Sequence, residues 1–222
     1  MSKAMDKRSA RGWAAIFAMA LGSAFLLSPT AHANTLRRGS SAGSAGNSYG
    51  GTFLSGYFDL GTGSSEDNVL RLENPTADNG SLCAMIYVFN AGEAMGECCG
   101  CRLTPNQLLT GSVKALLGTG WTLAGGTPSH GVLQIVSATP NNGTVCSPNK
   151  PYTATEQLDG WITHEQTVMG VTGLTEVSLT DNGTADSFES QSLIGNCGQI
   201  LGNGSGAGNC VCPKSEEFFS SN

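Results

Sequence analysis

LCAMIYVFN, residues 82–90, is apolar on both of its alternating faces. In an extended chain Leu82, Ala84, Ile86 and Val88 point one way, and Cys83, Met85, Tyr87 and Phe89 the other. A strand with one wet face alternates apolar and polar residues. This one therefore reads as a central strand covered on both sides. The question it sets is what supplies the two covers.

Working outward, short apolar segments separated by turn signals follow one another at the spacing of a β-sandwich. TFLSGYFDL (52–60), NVLRLEN (68–74), GVLQIVSAT (131–139), LDGWITHEQTVM (158–169) and LTEVSLT (174–180) read as further strands. The core of NQLLTGSVKALL (106–117) reads as another. Asn-Gly pairs at 79–80, 142–143, 182–183 and 203–204 predict tight turns, and each lies in an N-x-S/T glycosylation pattern. Only 13% of residues are charged while 31 are glycine, which leaves little material for long helices. The period changes once. In DSFESQSLIGNCGQILG, Leu193, Ile194, Cys197, Ile200 and Leu201 share a helical face. Asp186 and Glu189 make a capping arrangement, and Gly202 is placed to stop the helix. Gly195 and Gly198 each cost about 1 kcal/mol relative to alanine. A helix near 186–201 therefore needs tertiary support, and docking it on strand 82–90 would supply that strand's second cover.

Beside that strand, MGECCGCRLTP (95–105) places three cysteines in four positions. The eight cysteines, Cys83, Cys98, Cys99, Cys101, Cys146, Cys197, Cys210 and Cys212, are even in number. In an oxidising compartment they read as a disulfide framework, with 105 possible pairings. Adjacent Cys98 and Cys99 point opposite ways in an extended backbone and so should tie two different parts of the protein together. Cys197, Cys210 and Cys212 should be oxidised, at least one of them to the Cys83–Cys101 region. Two other readings compete. Cys98-x-x-Cys101 with Cys210-x-Cys212 could hold zinc, or Cu(I) with Met95 nearby, but both need reduced thiols. Cys98-x-x-Cys101 also matches a redox motif, which normally opens a helix after a βαβ unit.

The compartment comes from the N-terminus. A basic leader (Lys3, Lys7, Arg8, Arg11) precedes an apolar run, Trp13–Leu27, and the small-residue site Ala31-His-Ala33. This is the pattern of a secretory signal peptide over residues 1–33, cleaved before Asn34. The apolar run is short for a membrane span. The expectation is a secreted or periplasmic protein without a membrane anchor after cleavage. Of eleven Lys/Arg and seventeen Asp/Glu, the leader holds four and one, so the remaining chain carries a net charge of −9. That argues against nucleic acid or an anionic membrane as partner. Residues 34–51 are a Gly/Ser-rich lead-in, 52–212 a single β-sandwich domain with its helix, and 213–222 a loose tail.

Catalytic material is sparse. Beyond the leader only His130 and His164 remain. His130 lies in a turn, and His164 shares a strand face with Ile162 and Leu158, opposite Glu165. Gly39-Ser-Ser41-Ala-Gly43 spells the nucleophile pattern G-x-S-x-G without the strand and helix it requires. Gly202-Asn-Gly204-Ser-Gly206-Ala207 spells a dinucleotide pattern but follows a helix rather than a strand. No catalytic residue, cofactor or metal ligand is assigned. Trp121, Tyr152 and Trp161 are aromatic candidates for a contact patch, with core filling the plainer role.

The run NVLRLENPTADNG, LCAMIYVFN, LTPNQLLTGSV, GVLQIVSATP and LDGWITHEQT resembles immunoglobulin-like β-sandwich modules of exported bacterial proteins. With GECCGC and NCVCP it is also similar to uncharacterised secreted Cys-rich bacterial proteins, over about residues 66–212. The resemblance implies an all-β, immunoglobulin-like antiparallel sandwich with a short C-terminal helix and disulfide-stapled loops, and implies no site. The function expected is a binding, adhesive or surface-assembly module, with a protein or carbohydrate ligand or self-association through strand edges. The alternatives are a metal-binding or thiol-redox cysteine cluster and a secreted hydrolase.

Overall fold

The structure is a computed structural model. It describes residues 53–61, 67–75, 80–118, 120–123, 126–155, 158–202 and 208–213. The leader 1–33, the lead-in 34–51 with its G-x-S-x-G pattern, Asn79, residues 203–207 of the glycine-rich loop and the tail from 214 lie outside the described residues.

Among the described residues nine strands make two antiparallel sheets. They are β1 (Phe53–Asp59), β2 (Asn68–Glu73), β3 (Leu82–Asn90), β4 (Met95–Leu103), β5 (Leu108–Ser112), β6 (His130–Ala138), β7 (Asp159–Val168), β8 (Val171–Ser178) and β9 (Thr180–Asp181). One sheet has the order β4-β3-β6-β1-β9 and the other β5-β2-β7-β8. Consecutive β1 and β2 lie in opposite sheets, as do β6 and β7. β1 neighbours β6, and β2 neighbours β7. Two helices, α1 (Val113–Leu117) and α2 (Ser187–Gly202), complete the elements among the described residues.

The double-sided character of β3 explains the layering. Ala84, Ile86 and Val88 enter a core between the sheets with Leu54, Phe58, Leu70, Leu72 and Ile162. Cys83, Met85 and Tyr87 enter a second core on the other face, where Leu193 and Cys197 of α2 complete the cover. Each large apolar side chain sealed this way contributes about 1.5–3 kcal/mol relative to leaving it in water. Asp186 caps α2, its carboxylate accepting the Glu189 N–H at 2.7 Å. Leu179 plugs the corner where the chain leaves β8 for β9. A side chain at Gly56 or Gly160 would strike it.

Three sequence readings need correction. Met95–Leu103 is a nine-residue strand, β4, and not only a staple point, because its odd-numbered side chains Cys99, Cys101 and Leu103 complete the inter-sheet core. The segment 106–117 is strand only to Ser112. There the serine hydroxyl accepts the Ala115 N–H at 3.0 Å and starts α1, whose Val113, Leu116 and Leu117 are buried. Strand 174–180 begins earlier, at Val171, and breaks at Leu179 into β8 and β9. β7 and β8 form a hairpin around Met169 (φ 52°) and Gly170 (φ 79°), the two left-handed positions of a type I′ turn.

Candidate functional site

Two regions stand out, a strand edge closed by cysteines and a strand edge left open. All eight cysteines are bonded, Cys83 to Cys146, Cys98 to Cys197, Cys99 to Cys210 and Cys101 to Cys212. Side-chain alternation on β4 sorts them. Cys98 faces outward and holds α2, whereas Cys99 and Cys101 face the inter-sheet core and hold the C-terminal segment. That segment also takes up β4's edge backbone. Cys98 N–H donates to the Gly208 carbonyl at 2.8 Å, and Cys210 N–H to the Cys98 carbonyl at 3.3 Å.

The alternative zinc quartet of Cys98-x-x-Cys101 with Cys210-x-Cys212 does not assemble, since Cys98 lies on the opposite face of β4. The sulfurs that do gather are those of Cys99, Cys101 and Cys212, all within 4.8 Å of one another. These sulfurs are members of two neighbouring disulfides, Cys99–Cys210 and Cys101–Cys212. As bonded, these sulfurs offer no thiolate.

Glu97 shares the inward face of β4. It is fully buried, neither carboxylate oxygen has a hydrogen-bond partner among the described residues, and burial pushes its pKa up to about 8. Trp121 packs over neighbouring Gly96, where a Cβ would fall 2.5 Å from the indole ring. Tyr152 is half-buried in the second core, 3.5 Å from the Tyr87 hydroxyl, and Trp161 is half-buried on β7. None of the three forms an exposed aromatic patch.

The histidines approach one acid. Asp59 lies directly across from His130 in the β1–β6 register. His164 stacks on Tyr57 with ring centroids 6.4 Å apart. Desolvation lowers the His164 pKa, while the charge of Asp59 opposes that shift. His130 is not in a turn but opens β6; Ser129 Oγ lies 2.9 Å from its Nδ1, but the two are exposed sequence neighbours at the strand's start. Among the described residues no carboxylate hydrogen-bonds to His130, so no nucleophile–base–acid chain is assembled. A cleft of about 610 Å³ opens where the first turns of α2 cross the β3 and β6 ends, lined by Phe89, Val132, Gln134, Phe188 and Glu189 among others.

The second region is the β7–β8 hairpin. Every residue of β8 is exposed, including Val171 at 71% and Leu174 at 72%. Leu179 N–H donates to Gly160 C=O at 2.9 Å, which makes 160/179 a hydrogen-bonded pair. The register runs without a bulge to Val168/Val171, so Val171, Gly173, Thr175 and Val177 also bond to β7. Thr167 and Thr172 form an intervening non-bonded pair, and their hydroxyls meet at 3.2 Å. The backbone groups of Thr172, Leu174, Glu176 and Ser178 therefore point away from β7. Among the described residues nothing pairs with them.

The other three edges are guarded. β4 is closed by residues 208–212, β9 has two residues, and β5 has five, with Pro213 packed against Gly111. Short or covered edges are the usual protection against pairing with another chain, and among the described residues β8 has neither. Sequence reading reached strand 174–180 but not its exposure, because Val177 and Leu179 share one face of it as the apolar residues of a half-buried strand do. No protein-family model, curated protein or solved structure matches this chain.

Proposed function

We propose that this is an exported, non-catalytic binding or surface-assembly module that engages an extended protein segment by strand addition at β8. The observation that carries the reading is the bare outer edge of β8, eight exposed residues long beside three guarded edges. Strand addition takes its affinity from main-chain hydrogen bonds and its specificity from alternate side chains. β8 offers four outward residues for the first and Val171, Leu174 and Val177 for the second. Four disulfides support an oxidising, extracellular or periplasmic setting. No helix among the described residues is long and apolar enough to cross a membrane.

The immunoglobulin-like reading draws support from the neighbour relations. In that fold strands B and C lie in opposite sheets, B beside E and C beside F. β1, β2, β6 and β7 stand in the same relation, and β5-β2-β7-β8 follows the order C′-C-F-G. The β3–β4 hairpin departs from the pattern, occupying the place beside β6 that strand D would take.

A library of extended decapeptides tests the binding reading. Wild-type protein should enrich strand-forming sequences that Glu176→Pro, which loses one outward N–H, does not. Equal enrichment on both proteins would refute it. A metal reading draws on the sulfur cluster of Cys99, Cys101 and Cys212, which with Cys210 could take zinc or Cu(I) only after two disulfides are reduced.

A further inference from the structure

We infer that the partner of β8 is β8 of a second copy, paired antiparallel about a two-fold axis through Leu174. The inference rests on the strand-addition reading and names its occupant. Only residues whose backbone groups face outward can form the hydrogen-bonded pairs of a new ladder, here Thr172, Leu174, Glu176 and Ser178. A two-fold axis through Leu174 pairs outward residues solely with outward residues, Leu174 with Leu174 of the second copy and Thr172 with Glu176 in both directions.

The side chains choose among the registers. With the axis at Leu174, Val171 of each copy falls opposite Val177 of the other in a non-hydrogen-bonded pair, where side chains approach closest. All three exposed apolar residues of the strand then meet an apolar partner. Gly173 faces Thr175, which leaves the flank uncrowded. Moving the axis to Thr175 sets Leu174 against Glu176, and moving it to Glu176 sets two carboxylates against each other. The register centred on Leu174 also uses seven of the strand's eight residues. The product is one continuous eight-stranded sheet across two copies. A closed two-fold pair consumes both open edges, so association stops at the dimer.

The test uses the full chain in its oxidised form and measures mass by sedimentation equilibrium from micromolar to millimolar concentration. Wild type should dimerise. Leu174→Lys and Leu174→Glu, each placing like charges across the axis, should weaken the dimer on the order of 100-fold. Mixing the two variants should restore a one-to-one heterodimer, because only in this register does position 174 face itself. Dimers of Leu174→Lys as tight as wild type, or monomeric variants that stay monomeric on mixing, would overturn the proposal. A wild type that is monomeric throughout would also overturn it. In that case decapeptide capture at β8 would leave the strand-addition reading standing, and loss of both would remove both. Circular dichroism confirms folding of each variant, and Leu174→Thr, uncharged and strand-compatible, should retain the dimer within about tenfold.

Discussion

β4 and β8 each form one edge of their sheet, and both present a row of backbone donors and acceptors that the sheet itself does not use. On β4 that liability is closed covalently. Three of the four disulfides start from Cys98, Cys99 and Cys101, drawing α2 over one face and residues 208–212 along the edge. On β8 nothing comparable exists among the described residues, and the strand is held from one side by β7 alone. The difference teaches that this small protein does not protect its edges uniformly. Three of its cross-links lie on one side, and among the described residues the other side carries none.

The largest expected effect comes from breaking the closed side. Replacing Cys98 and Cys197 together by serine removes a link across 99 residues and should cost about 2–5 kcal/mol. α2, with its two internal glycines, should become the first site of limited proteolysis. If α2 stays as protected as in wild type, its docking rests on packing and not on the bond.

The buried carboxyl of β4 sharpens the same comparison through pH. Burial raises the Glu97 pKa to about 8, so the folded chain keeps a proton that the unfolded chain has released. That contribution is present in acid, falls as pH rises from the ordinary carboxylate range through 8, and is flat beyond. Glu97→Gln should flatten this decline and stabilise the protein at pH 9 by about 2–4 kcal/mol. Denaturant melts of the two proteins at pH 5, 7 and 9 would show it, and parallel curves would contradict it.

On the open side, proline distinguishes the two faces of the ladder. Thr175→Pro deletes an N–H bonded to β7 and should cost about 1–3 kcal/mol. Leu174→Pro deletes an outward N–H, as edge strands tolerate, and should cost well under that. Similar losses for both would mean that the β8 edge is occupied in the monomer. Smallest of all, Met169→Ser and Val171→Thr should shift monomer stability by no more than about 0.5 kcal/mol in thermal melts, since both side chains lie mainly in water.

Much of the architecture was legible in local pattern. LCAMIYVFN announced a strand with two buried faces because a period of two leaves no solvent side. The helix at 187–202 announced itself through its 3.6 period and the Asp186 cap. The Asn-Gly pairs marked turns, and Gly80, Gly143 and Gly183 do take positive φ. β4 was obscured because its core-facing residues are Glu97, Cys99 and Cys101, which do not spell an apolar stripe until the disulfides form. α1 was obscured because five residues carry too little periodicity to outweigh a preceding strand.

By itself, the sequence determined the all-β character, the docking helix and the opposite aims of Cys98 and Cys99, because each follows from where a side chain points along a regular backbone. The tertiary structure decided which cysteines meet, which sheet edges are sealed, that Glu97 is buried, and that Val171, Leu174 and Val177 face water. Those properties depend on what lies across the gap from a residue. Two strands with the same apolar alternation become core or open edge according to which neighbour the chain brings beside them.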